Sequence, residues 1–316
     1  MGGVDVFLVI GGYFITNKLL NLGTDRINVC SLFIHRIKRL YPLYFALLLA
    51  FCLICWLSKR KLGIEPLWYL FCLQNFRCLT DFATYHLDGY IGHFWYIGLD
   101  VWLFFLWLVL LKCVSKEKLR ITFITTLVAG LIWRTAFILW KPENIALSYV
   151  IPVGLLDCWS VGGLLSMSIR KRGSNNKIMW SELLLGVLGI MAMVCYNAYR
   201  HSVSWANGYM LFNSAKGYMD NVLTGNIHFF IALLSAGILR YCLDTTRNHA
   251  VLSASALVAL GGMTYELYCF HYPIILLVKH IVHNPVMIIL LALLITYMVA
   301  IIWCRYIMPG VNRLFK

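Results

Sequence analysis

The sequence predicts an all-α polytopic membrane helical bundle, and three observations carry that expectation. Hydrophobic residues make up 61% of the 316 and charged residues only 13%, about half the charged share of a soluble domain. Mean hydropathy is +0.78. Apolar runs of about 20 residues, the length that crosses a hydrocarbon core of about 30 Å as helix, recur along the whole chain. In a soluble protein the net charge of +14 would suggest nucleic acid. Here Lys and Arg fall between apolar runs, as cationic cytoplasmic loops do, and no isolated basic domain or aromatic–basic interleaving supports nucleic-acid binding.

Nine spans are expected, at 3–20, 41–58, 94–112, 121–140, 146–168, 178–198, 223–242, 256–279 and 285–306. The segment 66–79 is apolar but short, which predicts a re-entrant or interfacial helix. No repeat, low-complexity tract or soluble linker interrupts the chain, so 1–316 is expected to be a single integral domain. The first run has neither a cationic lead-in nor a small-residue cleavage site, unlike a signal peptide. It carries Asp5, and a charge at the bilayer centre costs roughly 2.5–3.5 kcal/mol on the lenient insertion scale. Asp5 therefore needs a partner from elsewhere in the fold.

Orientation follows from the cations. One set of loops collects Lys18, Arg26, Arg36, Lys38, Arg39, Lys112, Lys116, Lys118, Arg120, Arg170, Lys171, Arg172, Lys177, Arg240, Arg247, Arg305, Arg313 and Lys316, and the richer side is cytoplasmic. The first run then crosses from outside to inside, and the C-terminus is cytoplasmic. One further span before Met1 would place the N-terminus inside. The 11 Cys are scattered through apolar runs. Cys52 and Cys55 have CxxC spacing within a predicted span, and no second CxxC or paired His completes a zinc set.

Ionisable groups within apolar runs point to function. His93, Tyr96 and Asp100 recur at i, i+3 and i+7, on one helical face. Thr264, Tyr268 and His271 recur at i, i+4 and i+7, with Pro273 just beyond. Asp157 lies mid-span beside Ser160 and Gly162-Gly163, and Arg134 and Glu266 complete the set. At 1.5 Å per residue, Asp100 lies about 10 Å deeper than His93, and the groups are expected to converge on an outward-biased cavity. Buried Asp–Arg and His–Tyr pairs also simply join helices, and Arg36-Ile37-Lys38-Arg39 also reads as a positive-inside anchor. Residue types and spacing reach a membrane protein with a polar cavity, either transporter or enzyme.

Four segments resemble the membrane-bound acyltransferase family 3, the O-antigen and exopolysaccharide O-acetylases. Gly3-Val4-Asp5-Val6-Phe7-Leu8-Val9-Ile10-Gly11-Gly12-Tyr13-Phe14-Ile15-Thr16 is similar to GVDVFFVISGFLIT, with Gly11 where Ser is usual. His35-Arg36-Ile37-Lys38-Arg39-Leu40-Tyr41-Pro42 resembles RRxxRIYP. His93-Phe94-Trp95-Tyr96-Ile97-Gly98-Leu99-Asp100 resembles HxWSLSVEEQFY, with Asp100 at the first Glu and Val101 at the second. Leu260-Gly261-Gly262-Met263-Thr264-Tyr265-Glu266-Leu267-Tyr268-Cys269-Phe270-His271-Tyr272-Pro273 resembles LGxxSYxLYLxHxP. The stretch from Ile151-Pro152 to Leu165 fits PxxRxDxLxxGxLL loosely, keeping Asp157 without the Arg.

The resemblance implies transfer of an acyl group, usually acetyl, from cytoplasmic acyl-CoA as co-substrate to a hydroxyl of a carbohydrate acceptor beyond the bilayer. It also implies a first helix, carrying an Arg and a His, ahead of Met1. Such chemistry needs a base for the hydroxyl proton, stabilisation of an oxyanion and a hold on the CoA phosphates. Arg36 and Arg39 suit the donor phosphates. His93, Trp95, Tyr96 and Tyr268 suit a carbohydrate, offering aromatic faces and polar tips. His271, Asp100 and Asp5 are expected around the reacting centre, His271 as base or as positioning group. No bound cofactor or metal is expected. A transporter of a polar solute, or an inactive truncated acyltransferase, is the alternative.

Overall fold

A computed structural model describes residues 2–22, 28–59, 65–77, 91–140, 146–205, 207, 222–244 and 253–314. Arg26, Arg247 and Lys316 of the cation count, and the last two residues of the segment 66–79, lie outside the described residues. Every described element is helical, and among the described residues seven helices are long and apolar enough to cross a membrane.

The differences from the nine expected spans have local causes. The second helix, α2, runs Val29–Leu57, so the cationic turn at Arg36 to Arg39 continues the helix rather than forming a loop. The expected span 146–168 is broken at Pro152 into Ala146–Val150, a 3-10 turn Pro152–Leu155 and a helix Leu156–Arg172. Proline has no N–H to continue the ladder. The span 223–242 divides into Val222–Gly225 and a helix Ile227–Cys242 of only 16 residues. Asn226 sits at that break and accepts from Arg134 Nε (3.3 Å) while donating to the Val222 carbonyl (2.9 Å). The span 256–279 divides at Met263 into Ser255–Gly262 and Thr264–Ile281. The segment 66–79 holds two short helices, α3 (Glu65–Leu70) and α4 (Gln74–Arg77).

The helices group into two compact units, Met1–Val29 with Leu99–Arg247 and Cys30–Gly98 with Asn248–Lys316. In the first unit, α1 (Gly2–Leu22) packs against Leu156–Arg172 through small residues. A Cβ at Gly12 would strike the Trp159 carbonyl, and one at Gly162 would strike the Val9 carbonyl, so the two backbones touch, the usual route to tight packing between membrane helices. Trp107 stacks on Phe123 with ring centroids 4.8 Å apart, and its Nε1 donates to Thr16 Oγ1 (2.8 Å). Helix Asn176–Arg200 packs on Ile227–Cys242, where Gly186 leaves no room for a Cβ against Leu234.

In the second unit, α2 organises the short helices. Tyr41 Oη donates to the Leu70 carbonyl (2.6 Å) and Tyr44 Oη to the Tyr69 carbonyl (2.7 Å). These are end carbonyls of α3 that have no donor of their own within the helix. Cys72, at φ 54, then turns the chain into α4. Thr264–Ile281 packs against Pro285–Ile302 through Ile274, Val278 and Ala292.

The Gly12 contact makes a stability prediction. Gly12→Val should lower the thermal midpoint in detergent sharply, since overpacking costs roughly 1–3 kcal/mol or more. Gly3→Ala, at a position with nothing within 4 Å, should not. Equal midpoints for the two variants would contradict the close packing of α1.

Candidate functional site

Several buried charged residues of the first unit pair across helices. Asp5 is fully buried, and its Oδ1 lies 2.8 Å from Nδ1 of His228, itself 2% exposed. The partner demanded for Asp5 is thus a histidine from Ile227–Cys242, a lone His in an apolar run that the motif reading passed over. Its residue type was the available signal, since an ionisable group at membrane depth is unusual.

Asp157 and Arg134 are both fully buried and bonded in bidentate fashion at 2.7 and 2.6 Å, and Arg134 Nη1 also donates to the Gly154 carbonyl (2.5 Å). The guanidinium missing beside Asp157 in the sequence is therefore supplied in space by α6 (Leu119–Trp140). Arg240 is corrected from a loop cation to a buried one. It lies in the last turn of Ile227–Cys242, paired with Glu182 at 2.7 and 2.9 Å and within 3.3 Å of Ser168 Oγ. Asp100, 8% exposed, also belongs to this unit.

The second unit holds the aromatic and histidine residues. Here the structure brings His93, Tyr96, Tyr268 and His271 together, with Trp95 against Tyr96. The His93 ring centroid is 5.4 Å from that of Tyr268, 5.3 Å from His271 and 5.3 Å from Tyr272, and Tyr96 lies 5.2 Å from Tyr268. His93 sits on the 3-10 turn Gly92–Phe94 that opens α5 (Trp95–Cys113), two residues ahead of the regular helix expected to carry it.

Three consecutive carbonyls at this turn accept from side chains. Tyr268 Oη donates to His93 O, Gln74 Nε2 to Phe94 O (2.9 Å) and Asn75 Nδ2 to Trp95 O (2.8 Å). Gln74 and Asn75 are fully buried, and Gly98 lets them in, because a Cβ there would meet both side chains. These two anchors lie in the segment expected to be a re-entrant or interfacial helix, and their amides were the overlooked signal.

Both imidazoles are oriented by backbone. His93 Nε2 is 3.2 Å from the Cys269 carbonyl and His271 Nδ1 is 2.6 Å from the Tyr268 carbonyl. A carbonyl only accepts, so each of these nitrogens carries the proton, leaving a lone pair on Nδ1 of His93 and on Nε2 of His271. The pair offers two oriented basic nitrogens, which is what proton abstraction from a hydroxyl requires. Arg36 and Arg39 stand three residues apart near the start of α2, hence on neighbouring positions of one face. Arg39 is exposed and Arg36 half-buried. No group of three metal-ligating side chains occurs among the described residues.

Residues 1–307 match a family described as an acyltransferase domain, a match that runs across both units. Among curated proteins, the chain is 23% identical over 290 residues to a peptidoglycan O-acetyltransferase OatA of Listeria monocytogenes, covering 87% of this chain and 45% of that protein. It is 24% identical to an O-acetyltransferase OatA of Staphylococcus aureus, covering 98% of this chain and 52% of that protein. The chain thus spans about half the length of the curated relatives it matches. No solved structure matches it.

The buried Arg134–Asp157 pair is expected to behave as a unit. Arg134→Met alone should cost about 3–5 kcal/mol by stranding a buried carboxylate, whereas Arg134→Met with Asp157→Leu should recover most of that. Unfolding midpoints of the two variants measure the difference, and equal losses would contradict the coupling.

Proposed function

This chain belongs to the acyltransferase family, and on that premise we propose that it is a multi-pass membrane O-acyltransferase. In this reading it moves an acyl group, most simply acetyl, from acyl-CoA to a hydroxyl of a cell-envelope carbohydrate, with its C-terminus cytoplasmic. Family membership supports the reaction class. The names of the two relatives, one specifying peptidoglycan, support O-acetylation of a wall glycan. The observation that carries the reading is the meeting of His93 and His271, from two separate motifs, with each ring oriented by a backbone carbonyl.

The chemistry can be written on these atoms. Nε2 of His271 takes the proton from the acceptor hydroxyl as that oxygen attacks the thioester carbonyl. The tetrahedral intermediate collapses with loss of CoA thiolate, and the imidazolium returns the proton to the sulfur, so the charges balance. Tyr96, Tyr268 and Trp95 supply faces and hydroxyls for the sugar. Arg36 and Arg39 hold donor phosphates, a task suited to planar, permanently charged guanidinium groups. Asp5 is held by the imidazole of His228, and a part for Asp5 and Asp100 in the reaction rests on their motifs alone.

The test uses the full chain in proteoliposomes with labelled acetyl-CoA and a glycan acceptor. Label should reach glycan as an ester, with release of free CoA thiol. Arg36→Ala with Arg39→Ala should raise KM for the donor and nearly abolish labelling, and His271→Ala should lower turnover by about 100-fold or more. Solute uptake driven by an ion gradient, without thiol release, would overturn the reading in favour of transport.

A further inference from the structure

Pro273 lies inside the helix Thr264–Ile281. A residue in that position normally donates its N–H to the carbonyl four residues earlier, which here is Cys269. Proline has no such donor, and its ring pushes that carbonyl out of the ladder. The Cys269 carbonyl is therefore open, and a carbonyl left without a donor in an apolar interior is costly. The structure supplies that donor from outside the helix, since His93 Nε2 lies 3.2 Å from the same oxygen.

The consequence falls on the other ring nitrogen. With Nε2 holding the proton, Nδ1 of His93 is an acceptor, and it is buried with no hydrogen-bond partner among the described residues. The ring has little freedom to exchange the two nitrogens. Its own backbone carbonyl accepts from Tyr268, and the next two carbonyls accept from Gln74 and Asn75. Tyr268, His271 and Tyr272 surround the ring. We infer that Pro273 is a positioning residue that, by leaving the Cys269 carbonyl open to His93, keeps Nδ1 of His93 as a fixed acceptor for a substrate hydroxyl. The last step rests on the acyl-transfer reading above; the coupling of Pro273 to His93 does not.

Two substitutions separate this role from simple satisfaction of a stray carbonyl. His93→Gln keeps an N–H at the position of Nε2 but removes the Nδ1 lone pair. Pro273→Ala restores a helical N–H that competes for the Cys269 carbonyl, and should not lower thermal stability because Ala favours a helix far more than Pro does. Nitrogen-15 imidazole spectra of the full chain in lipid nanodiscs read the tautomer, with the His93 signals identified by their disappearance in His93→Gln. The native protein should show the Nε2–H form at position 93, and Pro273→Ala should convert it to a mixture. Acyl transfer should fall by about 100-fold or more in His93→Gln, and by less in Pro273→Ala.

An Nδ1–H tautomer in the native protein, or one unmoved by Pro273→Ala, overturns the coupling. Full transfer activity in His93→Gln overturns the acceptor role. If the tautomer responds as stated but no acyl transfer occurs, the coupling stands and it is the acyl-transfer reading that fails.

Discussion

Hydrogen-bond satisfaction inside an apolar bundle is the constraint on which the rest of this structure depends. No water is at hand in the hydrocarbon region, and each unmatched polar group there costs several kcal/mol. The chain solves this by pairing groups from helices far apart in sequence. Arg134 answers Asp157 and the Gly154 carbonyl, Arg240 answers Glu182, and His228 answers Asp5. The same rule accounts for the irregular backbone. The interruptions near Pro152, Asn226 and Cys72 occur where side chains bind the backbone or the buried charges next to them.

The constraint also separates a brace from a reactive group. In the Arg134–Asp157 pair, both carboxylate oxygens are bonded to the guanidinium, so the acid has its charge balanced where it lies. His93 and His271 of the second unit differ. Each spends one nitrogen on a carbonyl and keeps the other as a base. Asp5 is intermediate, with Oδ1 on His228 and Oδ2 buried without a partner among the described residues. Only groups with an unspent valence can do more than hold helices together.

The helical bundle was legible because hydrophobic runs of membrane length are a composition signal, independent of what packs against what. So were the Tyr96, Tyr268 and His271 positions, whose spacing and motif context put them on helices, whereas His93 fell on the 3-10 turn ahead of its helix. The partners were not. His228, Arg240 with Glu182, and Arg134 for Asp157 pair across 223, 58 and 23 residues, and no periodicity encodes such distances. Gln74 and Asn75 escaped notice because an amide gains meaning only when it finds a carbonyl, here at Phe94 and Trp95. The break at Met263 and the short helix after Asn226 defied a hydropathy window, which averages over the single residues at which a helix stops.

The tyrosines of α2 have a mechanical consequence. Tyr41 and Tyr44 grip the end of α3, the Cys72 turn joins α3 to α4, and Gln74 and Asn75 of α4 grip the opening of α5. Each grip is a side chain bonded to a main-chain carbonyl, and the Cys72 turn is covalent chain. Arg39 lies two residues and Arg36 five residues before the first of those tyrosines. The cationic turn of α2 and the turn that carries His93 are thus bridged by two short helices fastened at both ends to main-chain carbonyls.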